Sequence, residues 1–199
     1  MSAVVVEEAA EMVGGAPWRR FVVLGGSAAL VRRPRRGYAP RSWADLVASA
    51  LRSERPDLAY RNFGRYDTCT AGVRAGQLAD ALAFRGDLAA VVAGTEDALP
   101  GSFDPDATEA ELRRIAGPLR DAGADVVLVG PYDVSRSAAV AEEDRAPVRK
   151  RLRLLSERTH YLSLRHGAYF VDLISHPPGA GNGIHAVTAA AVLRTLSSG

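Results

Sequence analysis

The chain has 199 residues, 25 basic against 23 acidic side chains, and is 47% hydrophobic and 24% charged. Those values suit one globular core and exclude wholesale disorder, a fibrous repeat, and an affinity for polyanions read from composition alone. Lys150 is the only lysine, so the basicity is almost entirely arginine, a bias that GC-rich coding produces as readily as selection for anion contacts. Cys69 is the sole cysteine, which excludes an intrachain disulfide and a cysteine-based zinc site and fits a reducing compartment. Glu7, Glu8 and Glu11 stand where a secretory signal carries basic residues, and no window holds 18 uninterrupted apolar residues. The expectation is a cytoplasmic protein without a membrane span, with residues 1–17 as a tail or short helix before a single domain at 18–199.

In chain order, Phe21–Leu24 is a short buried strand ended by Gly25 and Gly26, with Ser27 at the turn. Ser42 precedes Trp43, Leu46, Val47 and Leu51, and Asp45 three residues on completes a capping box that starts a helix. A weaker strand lies near Leu58–Arg61. Further apolar runs at Leu88–Ala93, Asp125–Val129 and Ala168–Val171 lack in/out alternation, which predicts strands covered on both faces. A helix is expected over Asp106–Ala122, with Thr108 as its cap, Glu111 closing a box and Gly123 as its stop. Two more are expected near Pro147–His166 and Ala186–Leu196. Strands alternating with helices predict a mostly parallel five-stranded sheet in a three-layer α/β/α sandwich. Ligands in such sheets gather beyond the carboxyl ends of the strands. Ser27, Glu96, Tyr132 and Asp133 all follow strand ends.

Four blocks in order carry a resemblance: Phe21-Val-Val-Leu-Gly-Gly-Ser27, Asn62-Phe-Gly-Arg-Tyr-Asp67, Gly94-Thr-Glu96-Asp97 and Asn182-Gly-Ile-His185. They resemble the blocks of the SGNH (GDSL-type) hydrolases, flavodoxin-like enzymes in which a serine attacks esters. The resemblance spans Phe21 to the end of the chain and implies that Ser27 is the nucleophile and His185 its base. It also marks departures from the family. Gly26 replaces an aspartate, Asp67 takes the place of a glycine whose N–H helps hold the oxyanion, Glu96 replaces an asparagine amide donor, and Asn182 replaces the aspartate that orients the histidine. In the second block Gly64 competes with Asp67 for the glycine register.

A carboxylate in place of an amide donor repels a developing oxyanion, whereas loss of a donor already costs roughly 2.7–4 kcal/mol. An asparagine orients an imidazole but brings no charge to the imidazolium. Two carboxyls in one cleft share a proton, which suits one as acid and the other as base. Ser27, Asp67, Glu96 and His185 are therefore the candidate catalytic residues, in acid/base chemistry such as cyclisation, elimination, isomerisation or dehydration of a small, natural-product-like substrate. A serine esterase, deacylase or acyltransferase using Ser27 and His185 is the alternative, and a non-catalytic binding protein the second. Gly26, Asn182, Arg32, Arg33 and Tyr132 are candidate substrate contacts, the arginines from the run Arg32–Arg36 being suited to an anion.

No metal ligand set is assigned, because Asp67, Glu96 and His185 lack a close-spaced metal motif. The loop Gly179–Gly183 follows prolines rather than a strand, so it is not a dinucleotide fingerprint and no cofactor is expected. The expected partner is a small molecule rather than nucleic acid or membrane, with the oligomeric state open. His160, His166 and His176 read as packed or solvent-facing.

Overall fold

The computed structural model describes residues 11, 13–30, 41–138, 140–175 and 183–198. Five strands form one sheet: β1 (Arg20–Gly25), β2 (Ala59–Asn62), β3 (Leu88–Val92), β4 (Asp125–Val129) and β5 (Tyr169–Val171). Their order is β2-β1-β3-β4-β5 and every neighbouring pair is parallel. Parallel pairing needs crossover connections, and these are helical: α1 (Trp43–Glu54), α2 (Thr70–Phe84), the single turn α3 (Thr95–Ala98), α4 (Pro105–Asp121) and α5 (Arg145–His166), with α6 (Gly183–Ser197) after β5.

The period of two along each strand divides the core. Phe21 and Val23 of β1, with Leu88 and Ala90 of β3, face a core shared with Trp43, Val47 and Leu51 of α1 and with Ala189, Val192 and Leu193 of α6. Val22 and Leu24, with Ala89 and Val91, face the opposite core of Leu112, Ile115 and Leu119 of α4 and Leu152 and Leu155 of α5. The central strands β1, β3 and β4 are buried on both sides, as their unbroken apolar runs require, while the edge strands β2 and β5 are only partly buried. Val13 and Ala16, ahead of the sheet, are also buried in the first core.

Two expectations change. The helix expected from Asp106 begins at Pro105 and is capped by Asp104, whose carboxylate accepts the N–H groups of Asp106 and Ala107 at 3.0 Å each. Proline pre-sets the first helical turn, so the cap lies four residues before Thr108, whose hydroxyl donates back to the Asp104 carbonyl. Glu111 instead pairs with Arg74 (2.5 Å) and Arg114 (2.6 Å), and the Arg74 hydrogen bond holds its carboxyl below the usual range. The second change is α2, which no apolar period announced: Gly72 and Gly76 interrupt it, and several of its other positions are alanine. The capping box at Ser42 and Asp45 forms as expected.

Strand order reverses beside β1: the chain moves one way to β2 and the other way to β3. Such a switch point, beyond the carboxyl ends of β1 and β3, is where ligands gather in sheets of this kind. Ser27 leaves β1 there, and Glu96 leaves β3.

Candidate active site

β1 ends at Gly25, and its end is fixed by a buried amide. Gln77 of α2 accepts the Gly25 N–H through Oε1 (2.9 Å) and donates through Nε2 to the Gly25 carbonyl (3.0 Å). The Gly26 N–H then donates to the Val92 carbonyl of β3 (3.1 Å), carrying the pairing one residue past the strand. Ser27–Ala29 forms a single 3-10 turn, and Asn62 at the end of β2 donates to the Ala29 carbonyl (2.9 Å). Ser27 is thus presented by a turn tied to both neighbouring strands and to α2. Gln77 carried no motif and was not legible in the sequence.

Gly94 at φ +103° occupies the left-handed region and turns the chain out of β3 into α3. The turn brings Glu96 back over Ser27, where Glu96 Oε1 accepts the Ser27 backbone N–H at 2.8 Å. Room for that contact exists because residue 26 is glycine: a Cβ there would stand 2.6 and 2.7 Å from the two Glu96 oxygens. A side chain at position 26 and the Glu96 carboxylate therefore compete for the same space. The neighbouring Asp97 does different work, accepting the N–H and hydroxyl of Thr70 at 2.8 Å each at the start of α2.

Asp67 resolves the register question. Its backbone N–H donates to Ser27 Oγ at 2.9 Å, and its φ of +52° is the left-handed conformation that favours glycine. Asp67 keeps the amide of the glycine position, while its side chain is exposed. Gly64 instead packs against Ala29 and the Asn62 side chain. Among the described residues no hydrogen bond joins the Asp67 carboxyl to Glu96, so Asp67 meets Ser27 through its backbone.

His185 lies in the first turn of α6, half-buried, and its Nδ1 accepts the backbone N–H of Trp43 at 3.3 Å. Burial lowers the imidazole pKa, and the charge of Asp45 opposes that shift. The Asp45 carboxylate is held by Ser42 N–H (2.8 Å) and by the Tyr60 hydroxyl (3.0 Å). Burial, reinforced by Asp45, drives the Tyr60 hydroxyl far above its usual range. Trp43 also reaches the serine turn, its indole N–H donating to the Ala28 carbonyl at 2.9 Å. The hydrogen bonds among the described residues thus bring together Ser27, Glu96 and the Asp67 amide, and separately link His185 to the serine turn through Trp43. No direct Ser27–His185 hydrogen bond stands among the described residues.

Tyr132 follows β4, packs against the first core, and its hydroxyl shares a short hydrogen bond with Thr188 of α6. Burial pushes that hydroxyl up to about 12, with the Thr188 contact acting against it. Asp133 is occupied structurally, capping Ser135 and pairing with Arg149 at 3.1 Å. His160 stacks on Phe170 at 4.8 Å between centroids. Asn182, Arg32 and Arg33, with the rest of the arginine run, His176 and most of the loop Gly179–Gly183, lie outside the described residues. Among the described residues Asp67, Glu96 and His185 do not form a group able to hold a metal ion, and no helix is long and apolar enough to cross a membrane.

No curated protein matches the sequence. Among solved structures, a catalytic variant of Axe2, an acetylxylan esterase from Geobacillus stearothermophilus, is 17% identical with a TM-score of 0.72, over 93% of this chain and 96% of that one. LAE5, an alpha/beta hydrolase enzyme from the metagenome of Lake Arreo in Spain, is 18% identical with a TM-score of 0.67, over 92% of this chain and 95% of that one. At such identities the likeness establishes the fold, which is that of the SGNH hydrolases. The family model for GDSL-like lipases and acylhydrolases matches residues 23–191, from inside β1 into α6. The chain belongs to the GDSL-like lipase/acylhydrolase family, a family of enzymes.

Proposed function

We propose that this family member acts on a small molecule at the Ser27–Glu96–Asp67 site, and that its chemistry has moved from covalent acyl transfer towards carboxylate acid/base catalysis. One contact carries the reading: the Ser27 N–H donates to Glu96 Oε1 at 2.8 Å. In acyl transfer the carbon attached to Ser27 Oγ carries an oxyanion, and the nearest backbone donors to it are the N–H groups of Ser27 and Asp67. One of those is spent on a carboxylate and the other on Oγ itself. An oxyanion formed there meets an anion in its place, a penalty beyond the roughly 2.7–4 kcal/mol that follows loss of a single donor.

The same contact suits Glu96 to proton transfer. Its Oε1 is fixed by a backbone donor, which limits its rotation, and Oε2 faces no hydrogen-bond partner among the described residues. A fixed carboxylate at a sheet switch point is placed to take a proton from a bound substrate, with Ser27 and the Asp67 carboxyl as polar contacts. Cyclisation, elimination, isomerisation and dehydration are the reaction types in view.

Family membership and the esterase neighbour favour a second reading, in which Ser27 and His185 hydrolyse or transfer an acyl group. That reading needs Glu96 to leave the Ser27 amide during turnover. A non-catalytic binding protein is the third, supported less because Asp67 and Glu96 are polar replacements rather than aliphatic ones. Hydrolysis of short p-nitrophenyl esters by wild type, Ser27→Ala and Glu96→Asn separates the first two. The acid/base reading expects little wild-type turnover and a gain in Glu96→Asn. Robust wild-type turnover abolished by Ser27→Ala returns the protein to the esterases.

A further inference from the structure

The geometry points to Trp43 as the residue that sets the proton on His185, holding the neutral imidazole as the Nε2–H tautomer and so making it a donor. A neutral imidazole has one N–H and one lone pair, and a neighbour that donates to one nitrogen forces the proton onto the other. Here the neighbour is a backbone amide, which cannot act as an acceptor. Trp43 is fully buried, begins α1, and donates its N–H to Nδ1 at 3.3 Å. A serine–histidine pair needs the reverse arrangement, with Nδ1–H held by an acceptor and Nε2 open to receive the serine proton.

Trp43 is in addition well placed to hold this arrangement relative to Ser27. Its indole donates to the Ala28 carbonyl beside the serine at 2.9 Å, so one rigid side chain and its own amide span from the serine turn to the imidazole. The positive end of α1 at this amide disfavours a cation on the ring, and burial acts in the same direction. Asp45, in the first turn of the same helix, is the charge that opposes them, and it is held in place by Ser42 and Tyr60. Trp43 is thus a positioning residue, and His185 is left to offer Nε2–H to a substrate oxygen or to a leaving group.

The inference builds on the acid/base reading above, yet its test does not depend on turnover. The full chain labelled with ¹⁵N gives long-range proton–nitrogen correlations from its histidine rings, and the His185 pattern is assigned by its disappearance in His185→Gln. At pH 7.5 the expected pattern is an unprotonated, acceptor-type Nδ1 and a protonated Nε2. In Asp45→Asn, where an asparagine still accepts the Ser42 N–H, the same tautomer persists and the ring titrates at lower pH than in wild type. A proton on Nδ1, alone, shared, or as the imidazolium at that pH, overturns the inference. Because the readout is spectroscopic, a wrong tautomer and a failed acid/base reading are separate results: ester turnover decides the second and leaves the first untouched.

Discussion

The two ends of the sheet use carboxylates in opposite ways. At the amino ends of the strands, Asp87 accepts the N–H groups of Arg19 and Arg20 at 2.8 Å each, one per oxygen. Asp125 accepts the Trp18 indole N–H at 2.9 Å and Arg120 at 3.2 Å. Each of these carboxylates is used on both oxygens and fastens strand to strand or strand to helix. At the carboxyl ends, Glu96 takes a single amide through one oxygen, and Asp67 contributes its amide while its side chain stands exposed. Asp97 follows the first pattern although it sits at the second end, because both its oxygens are committed to Thr70. Saturation of hydrogen-bonding capacity, rather than position alone, separates a fastening carboxylate from one left for a ligand.

Four substitutions press on that contrast. The largest effect on stability is expected at Asp87→Ala, which leaves two strand-end amides without their charged acceptor. A loss of about 2 kcal/mol in denaturant unfolding is expected, with serine reactivity unchanged. Gly26→Ala tests the crowding at the other end. Its backbone, at φ −85°, accepts alanine, but the added Cβ displaces the Glu96 carboxylate, so about 1 kcal/mol of stability is lost and reactivity at Ser27 rises.

A smaller effect comes from His185. Its pKa in the folded protein lies below the ordinary 6.5, so the unfolded chain binds the proton first as pH falls. Its contribution is therefore present above pH 6.5 and is lost as pH falls towards the folded value. His185→Gln should flatten the stability–pH slope just below 6.5, measured by urea unfolding at several pH values. The smallest change is expected at Asp67→Gly, which relieves the left-handed φ of +52° and should stabilise by up to about 1 kcal/mol in thermal unfolding, keeping the amide on Ser27. A destabilised Asp67→Gly would show that the Asp67 side chain, and not only its backbone, is fastened.

The sequence carried the centre of the sheet well because buried parallel strands are unbroken apolar runs: Asp125–Val129 forms over the expected residues and β1 and β3 differ only at their ends, whereas the edge strand β2, Ala-Tyr-Arg-Asn, gave only a weak signal. Ser27 and Glu96 were legible because each follows a strand end in a recognisable block, whereas the second block left Gly64 and Asp67 both open. What stayed hidden depends on contacts between distant residues. The link from Trp43 to His185 crosses 142 positions and uses a backbone amide, which has no signature of its own. Gln77 braces Gly25 from a helix whose glycines erased its period. The proton-sharing expected between Asp67 and Glu96 followed from residue type, but the left-handed turn at Asp67 delivers its amide to Ser27 instead of its carboxyl.

The central claim is that the Glu96 carboxylate occupies the amide an acyl oxyanion would need. Labelling by a serine-directed fluorophosphonate, followed by intact mass in wild type and Glu96→Asn with Ser27→Ala as the blank, tests it most directly. Slow labelling of wild type and an increase of about tenfold or more in Glu96→Asn are expected, both abolished in Ser27→Ala. Rapid labelling of wild-type Ser27 that Glu96→Asn leaves unchanged or slows would contradict it.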